Sequence, residues 1–284
     1  MEPITTNESL KNLVKDKYAA IANQDKATNM SSCCGAGGCS TEVYNIMSED
    51  YGSLEGYQFQ ADLGLGCGLP TQYAGIKQGD TVVDLGSGAG NDCFIARHEA
   101  GAAGKVIGID FTPAMITKAR ENADKLGFNN VEFRQGDIER MPITANVADV
   151  IVSNCVLNLV PDKNAVFKEI FRVLKPGGHF CISDVVLSGE LPQALRHDAE
   201  MYAGCVSGAI QKEVYLELIR MNKFENISIK KEKAIIIPED ILCRYLSKDE
   251  LKTFKEGSSG IFSITVYAEK PLSANSCIPG SGCC

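Results

Sequence analysis

The 284-residue sequence has no tryptophan, only three histidines and no apolar run that approaches the ~18 residues of a membrane-spanning helix. Its first residues, Met1–Asn7, lack the basic and apolar regions of a secretion signal. A long basic run is also missing, and the net charge is −8. The charge balance therefore argues against nucleic acid or an anionic membrane as the main partner, and we expect a cytoplasmic protein.

Cysteine, by contrast, is abundant, with 12 residues. In a reducing compartment such an excess indicates metal, metalloid or redox chemistry before structural disulfides. Six cysteines lie in two terminal clusters and six are scattered through the body: Cys33, Cys34 and Cys39; Cys277, Cys283 and Cys284; and Cys67, Cys93, Cys155, Cys181, Cys205 and Cys243. Neither cluster has the two CxxC-type pairs of a structural zinc site, so zinc is unsupported.

Short apolar runs alternate with amphipathic segments from residue 81 onwards. The runs predict buried strands, and the segments between them predict helices. The predicted strands are 81–85, 105–110, 130–134, 148–153 and 179–184, and the helices between them are 91–100, 113–126 and 162–174. This alternation predicts an α/β fold with a doubly wound, mostly parallel Rossmann-like sheet.

The sequence on either side of this core lacks the regular alternation of strands and helices. Helices are predicted at 10–21, 191–202, 211–221 and 241–255, and strands at 226–231 and 261–268 complete the edge of the sheet. We therefore divide the chain into an N-terminal helix and Cys/Gly-rich segment (1–70), a cofactor-binding sheet domain (71–190), a helical substrate-binding insertion with closing strands (191–270) and a flexible Cys-rich tail (271–284).

A glycine-rich loop, Gly86–Gly90, follows the first predicted strand and opens a helix. Its glycines let a ligand approach the backbone, and the helix N-terminus presents free N–H groups. The sixth position is Asn91, so the loop departs from the GxGxxG pattern of dinucleotide enzymes. Asp84, two residues before the loop, would repel a pyrophosphate but tolerates a ligand with a cationic amine and a sulfonium.

Two further acids follow strands in register with this loop. Asp110 ends the second predicted strand 24 residues after Gly86, near the ~20 expected for an acid that binds ribose hydroxyls. Asp137 and Ile138 follow the third strand, where a carboxylate suits an adenine amino group. Residues 75–190 thus resemble the class I S-adenosylmethionine (AdoMet) methyltransferases. The resemblance implies AdoMet as methyl donor, with contacts from Tyr57, Asp84, Gly86, Gly88, Asp110, Met115, Asp137, Ile138 and Asn154.

Cysteines, rather than a general base, indicate the methyl acceptor. None of the histidines lies in a recognisable site motif, although methylation of oxygen or nitrogen often needs a base. Cys155 follows the fourth predicted strand, at the sheet edge where α/β proteins bind ligands. Cys67 and Cys205 have glycine neighbours that leave backbone and sulfur open to close approach. The other three body cysteines are expected to be structural.

These cysteine segments and the glycine loop closely resemble the arsenite S-adenosylmethionine methyltransferases. The matching segments are Val82–Gly90, Asn130–Arg134, Ser153–Leu159, Val173–Gly178 and the surroundings of Cys205. The resemblance implies that Cys67, Cys155 and Cys205 bind trivalent arsenic.

The resemblance also implies a fourth, upstream cysteine that can pair with the first arsenic-binding cysteine as a disulfide. The candidates are Cys33, Cys34 and Cys39, and the sequence does not distinguish between them. We include Cys34 in the predicted set of catalytic cysteines to stand for this group. The cysteines that close the chain resemble the thiol-rich tails of some family members, proposed to capture arsenite.

The chemistry of arsenic explains why this sequence contains so many cysteines. Trivalent arsenic is a soft centre that prefers thiolate sulfur, and three thiolates leave it one lone pair. If that pair points at the sulfonium methyl group, in-line transfer needs no general base. The transfer oxidises arsenic, and neighbouring thiols can return two electrons by closing a disulfide. We therefore expect a monomeric enzyme of arsenic detoxification that acts on arsenite or methylarsenite, with thioredoxin or glutathione as external thiol reductant.

Two alternative hypotheses remain open at this point. One is methylation of a small organic acceptor, such as a quinone precursor or a sterol, with incidental cysteines. The other is sequestration of arsenic or a metal on a degenerate methyltransferase scaffold, against which the intact set of Asp84, Gly86–Gly90, Asp110 and Asp137 argues. A preference for methylarsenite or antimonite is also open, because pocket size cannot be read from a sequence.

Overall fold

A computed structural model describes residues 7–24, 49–190, 192, 208–236, 239–256 and 260–272. The helices of these ranges are α1 (Asn7–Ala22), α2 (Pro70–Ala74), α3 (Asn91–Ala100), α4 (Pro113–Leu126), α5 (Lys163–Val173), α6 (Lys212–Met221), α7 (Glu239–Tyr245) and α8 (Lys248–Glu256), with a 3₁₀ turn at Leu157–Leu159. The strands are β1 (Thr81–Leu85), β2 (Lys105–Asp110), β3 (Val131–Gln135), β4 (Ala148–Asn154), β5 (Leu174–Ser188), β6 (Glu225–Ile235) and β7 (Gly260–Glu269).

The seven strands form one sheet in the order β3-β2-β1-β4-β5-β7-β6. Strands β1 to β5 run parallel, and β7 lies antiparallel between β5 and β6. The strand order reverses at β1, which pairs with β2 on one side and β4 on the other. Such a switch point opens a crevice at the carboxyl ends of the strands, where α/β folds bind ligands. The predicted doubly wound sheet, with late strands completing its edge, is confirmed.

Alternating residues of β1 serve the two faces of the sheet, as the two-residue period of a strand requires. Val82 packs with Phe94 of α3 on one face. Val83 packs with Phe167 and Ile170 of α5 on the other face. Because all of these side chains are buried, the sheet is covered by helices on both sides, as a parallel sheet needs to be.

The last parallel strand is longer than the predicted strand 179–184, because β5 begins at Leu174. Residues Lys175–Gly178, predicted to end the preceding helix, instead form an irregular stretch within β5. On one side of this stretch Leu174 pairs with Ala148, and on the other side His179 pairs with Val150. Proline and glycine are tolerated there because the residues between the two pairs lie outside the ladder.

The predicted single helix 241–255 is wrong, because α7 and α8 are two helices. Glu250 accepts a hydrogen bond from the Ser247 backbone N–H at 2.9 Å, and the Glu250 N–H lies 3.4 Å from the Ser247 hydroxyl oxygen. This reciprocal pair is a capping box, which starts α8 at Lys248.

Several predictions fall outside the described residues: the helix 191–202, the cysteines Cys33, Cys34, Cys39 and Cys205, and nearly all of the tail 271–284. Among the described helices, none is both long and apolar enough to cross a membrane.

Candidate active site

A cleft of about 1050 Å³, open to solvent, lies at the carboxyl ends of β1, β2, β3 and β4. The predicted site residues that line it are Asp84, Gly86, Gly88, Asp110, Asp137, Ile138, Asn154 and Cys155. They come from four different strand ends, and the switch point of the sheet brings them together.

The first glycine of the loop is required by its backbone. Gly86 has a φ of +69°, and its N–H donates to the Ile109 carbonyl at 2.8 Å, which ties the loop to the end of β2. A Cβ at this position would collide with the side chain of Val156, which lines the same cleft. No other residue type therefore fits this turn without displacing its neighbours.

Asp110 is held in place by the backbone around it. One of its oxygens accepts from the Gly88 N–H at 3.0 Å, and the other accepts from the Thr112 N–H at 2.8 Å. Burial raises the pKa of Asp110, whereas these N–H donors oppose the rise. Each carboxylate oxygen keeps a further lone pair for a hydroxyl donor, which is the chemistry expected for binding a ribose.

Helix α1 closes the other end of the cleft. Lys11 of this helix lies 2.5 Å from an oxygen of Asp137 and also forms an ion pair with Glu139. Val14 and Tyr18, from the next turns of α1, line the cleft as well. The carboxylate predicted to meet an adenine amino group is therefore covered by a helix.

Two buried carboxyl groups, Asp84 and Asp92, line the centre of the cleft. Burial, reinforced by the charge of Asp92, raises the pKa of Asp84 well above its usual range, although a hydrogen bond from Cys93 at 3.2 Å lowers it. Burial also raises the pKa of Asp92 to about 6, against hydrogen bonds from Tyr51 and Asn154. Such a pair disfavours an anionic ligand and fits a cationic one.

The lining also carries buried polar atoms that have no hydrogen-bond partner among the described residues, among them Ser87 Oγ and Asn91 Oδ1. Buried polar groups are normally satisfied, so these two atoms fit contacts with a polar ligand. Together with the carboxylates, the donor set fits AdoMet, which combines ribose and adenine donors with a cationic amino-acid end.

Cys155 lines this cleft, and a disulfide with 5.7 Å between the Cα atoms joins it to Cys67, which is completely buried and does not line the cleft. Cys155 follows β4 directly and has a φ of +58°, an uncommon conformation for a residue with a Cβ. Asn154 links the two segments, because its Oδ1 accepts from the Cys67 N–H at 3.0 Å. Two of the three predicted arsenic ligands are thus adjacent, although they are 88 residues apart in sequence.

Two predicted cofactor contacts, Tyr57 and Met115, do not line the cleft. Tyr57 stacks on Tyr51 with 6.4 Å between ring centroids, and its hydroxyl donates to Asp62 at 2.9 Å. Met115 is completely buried in a cluster with Leu63, so its side chain offers no surface to a ligand.

The sequence reasoning missed Tyr51 and Asp92, which do line the cleft. The Tyr51 hydroxyl lies 3.0 Å from Asp92 and also contacts Asn154. Asp92 carries a signal that could have found it, because it stands in the first turn of the helix that the glycine loop opens. Tyr51 carries no such local signal, since its partners are 41 and 103 residues away.

The sheet order and the cleft match a known class of enzyme. Residues 76–233 match the family model described as a methyltransferase domain. The chain is thus a class I AdoMet-dependent methyltransferase. It is 38% identical over 277 residues to the arsenite methyltransferase of Halobacterium salinarum, a match that covers 93% of this chain and 67% of that protein. The chain belongs to the arsenite methyltransferase family.

Two further comparisons agree with this assignment. An arsenite methyltransferase of Aquipseudomonas alcaligenes is 32% identical over 240 residues, covering 82% of this chain and 67% of that protein. The fold is also similar to the crystal structure of CrArsM, an arsenic(III) S-adenosylmethionine methyltransferase of Chlamydomonas reinhardtii. That comparison has a TM-score of 0.63 and 31% identity, over 84% of this chain and 76% of that chain.

Proposed function

We propose that this protein methylates trivalent arsenic with AdoMet as methyl donor, and so detoxifies arsenite. The observation that carries the proposal is the contact between Cys155, in the wall of the cleft that also holds the glycine loop, and the buried Cys67. Cys155 directly follows β4, so its thiol lies at the carboxyl edge of the sheet, where α/β proteins bind ligands.

The chain offers a place for each part of AdoMet, which supplies an electrophilic methyl group when bound. Asp110 accepts the ribose hydroxyls, and Asp137 with Ile138 meets the adenine. Asp84 and Asp92 attract the cationic amino-acid end and the sulfonium, a role that fits their position at the centre of the cleft. Asn154 and the glycine loop complete the contacts.

Arsenic binds as substrate to the thiolates of Cys67, Cys155 and Cys205. Soft thiolate sulfur suits trivalent arsenic, and three such ligands leave its lone pair free. The protein's contribution is to hold that lone pair in line with the methyl group, so most of the rate gain is positional. No general base is needed, which fits a cleft wall without histidine among the described residues.

Methyl transfer raises arsenic from +3 to +5, and the cysteines return the two electrons. The bonds from arsenic to the sulfurs of Cys67 and Cys155 break, an S–S bond forms between these sulfurs, and arsenic returns to +3 with its methyl group. Water supplies a hydroxyl to the vacated arsenic and releases one proton, so atoms and charge balance. The adjacency of the two cysteines supports this step. An external thiol, thioredoxin or glutathione, then reopens the disulfide.

Four parts of the proposal rest on the sequence alone. One cysteine of the upstream cluster, represented by Cys34, pairs with Cys67 during the cycle. The tail cysteines capture arsenite. The enzyme acts as a cytoplasmic monomer, where a reducing environment keeps its many thiols available. Methylarsenite is accepted as well as arsenite.

The test incubates purified protein with AdoMet, arsenite and a thiol reductant, followed by chromatography with mass detection of arsenic species. Methylated arsenic should form only when both substrates are present. Cys155→Ser and Cys205→Ser should abolish the product while AdoMet still binds. Cys243→Ser is the matched control, because Cys243 is an exposed free cysteine, and it should keep full activity.

The other outcomes separate the alternatives. AdoMet binding without an arsenic product would contradict the proposal and favour an organic acceptor. Arsenite binding without AdoMet binding would favour sequestration. Cysteine variants that lose AdoMet affinity as well would contradict the division of roles between the thiols and the cofactor contacts.

A further inference from the structure

The loop Gly66–Gly68, which carries Cys67, is held by side chains rather than by secondary structure. The Cys67 N–H donates to Asn154 Oδ1 at 3.0 Å, and the Cys67 carbonyl accepts from the Ser263 hydroxyl at 2.6 Å. The Gly68 carbonyl accepts from Asn154 Nδ2 at 2.7 Å and lies 3.2 Å from the Tyr51 hydroxyl. Three backbone groups of Cys67 and Gly68 are therefore fixed by three separate parts of the chain.

The glycines on either side of Cys67 let these side chains come close. A Cβ at Gly66 would lie 2.6 Å from Asn154 Nδ2 and 2.9 Å from the Tyr51 hydroxyl oxygen. A Cβ at Gly68 would lie 2.5 Å from the Ser183 hydroxyl oxygen. All three distances are shorter than real Cβ contacts, so only glycine at these positions lets the loop lie this close to the three side chains.

Tyr51 connects this loop to the charged centre of the cleft. Its buried hydroxyl donates to Asp92 at 3.0 Å and accepts from Asn154 Nδ2. The second Nδ2 hydrogen of Asn154 is then directed at the Gly68 carbonyl. A carboxylate at the end of this chain polarises each bond in turn, which makes the arrangement stiffer than isolated neutral hydrogen bonds.

We propose that Tyr51 and Ser263 are positioning residues of the arsenic site, which set the place of the Cys67 sulfur beside Cys155. This inference rests on the proposed function and adds two residues to it. Tyr51 fixes the orientation of Asn154 and through it the N–H of Cys67; Ser263 fixes the carbonyl of Cys67. A soft ion bound by three thiolates requires each sulfur within about 0.5 Å of its binding position. Without such hydrogen bonds, the loop would not hold the Cys67 sulfur in place.

The experiment compares Tyr51→Phe, Ser263→Ala and wild type, each fully reduced, by calorimetric titration with arsenite and separately with AdoMet. Tyr51→Phe removes only the hydroxyl and keeps the ring that packs against Leu69 and Ile95. We expect arsenite affinity to fall by about tenfold in each variant, because each loses a buried hydrogen bond, which for Tyr51 is charge-assisted by Asp92. AdoMet affinity should stay within about twofold in Ser263→Ala, because Ser263 does not line the cleft, and in Tyr51→Phe it should fall less than arsenite affinity does. In both variants the KM for arsenite should rise more than the KM for AdoMet.

Two further variants complete the design. Ser263→Thr keeps the hydroxyl and should bind arsenite as tightly as wild type does. Tyr267→Phe is the matched control, since the Tyr267 hydroxyl bonds to Glu269 on the same strand and touches no part of the cysteine loop. It should bind both ligands as wild type does.

The outcomes separate this inference from the proposed function. If wild type takes up no arsenite, the proposed function fails and the inference fails with it. If wild type binds and methylates arsenite but Tyr51→Phe and Ser263→Ala bind it equally well, only the inference is overturned. Equal loss of arsenite and AdoMet affinity would overturn it too, because Tyr51 would then support the whole cleft.

Discussion

Lys11 of the first helix lies 2.5 Å from a carboxylate oxygen of Asp137, 126 residues further along the chain. The same ammonium group meets Glu139, and the amine of Lys118 caps the far end of the helix by donating to the carbonyls of Ala22 and Gln24. Both ends of α1 are thus tied to the sheet domain by lysines. The helix covers the end of the cleft that Asp137 lines, and ion pairs of Lys11 hold it there.

Lys11→Met should weaken AdoMet binding by about threefold at low salt. The substitution keeps the apolar stem but removes the charge that holds α1 over the cleft, and partly exposed ion pairs of this kind contribute up to ~1 kcal/mol. In wild type the affinity should fall as salt is added, and in the variant this dependence should be smaller. Titration calorimetry at low and high salt measures both. Lys15→Met, on the same helix but outside the cleft lining, should leave the affinity unchanged.

Asp110→Ala should weaken AdoMet binding by about 10- to 100-fold while arsenite still binds. The change removes the acceptor that we propose for the ribose hydroxyls and leaves the N–H groups of Gly88 and Thr112 without their partner. Equilibrium binding of AdoMet and arsenite to the same preparation checks it. Asp124→Ala, at an exposed position of α4, serves as control. An equal loss of arsenite binding would contradict separate sites for the two substrates.

Gly86→Ala should abolish AdoMet binding and lower the melting temperature. An alanine at φ +69° is strained, and its Cβ meets the side chain of Val156. The double variant with Val156→Ala removes the collision but keeps the backbone strain, so it should recover part of the stability. Thermal unfolding of the two single variants and the double variant measures the coupling between the residues. If the losses of melting temperature in the two single variants simply add up in the double variant, the collision with Val156 does not contribute to the destabilisation.

Asp184→Asn should reduce the loss of folding stability that occurs as the pH rises. Burial raises the pKa of Asp184 to about 7, against the charge of Lys163 and hydrogen bonds from Val185 and Tyr215. Because the folded state binds this proton more tightly than the unfolded state, folding loses stability as pH rises from about 4 to about 7. Melting temperatures from about pH 5 to about pH 8 should therefore fall less in the variant than in wild type. An identical slope would show that Asp184 does not titrate in this range.

Local patterns predicted the parallel half of the sheet well. The strands β1, β2 and β4 are short and rich in valine and isoleucine, and their limits agree with the prediction to within one residue. Asp110 and the glycine loop followed from the same strands, because strand ends fix where the cleft lies. The start of α8 was also available, since Ser247 and Glu250 have the spacing of a capping box.

Contacts between distant segments could not be predicted in the same way. Nothing in the sequence near β7 says that it enters the sheet between β5 and β6, since strand order depends on packing across the whole domain. Tyr51 was overlooked in favour of Tyr57 for the same reason. Both lie in an irregular segment, and only the folded loop decides which ring faces the cleft.

The hydrogen bond from Ser263 to the Cys67 carbonyl spans 196 residues, which has a consequence for synthesis of the protein on the ribosome. The sheet domain from β1 to β5 can begin to fold while the rest of the chain is still being made. The loop of Cys67 emerges early, yet this support is translated 196 residues later. Until β7 leaves the exit tunnel, the Cys67 carbonyl of a nascent chain therefore lacks its hydrogen-bond donor, and only Asn154 and Tyr51 hold the loop and its thiol.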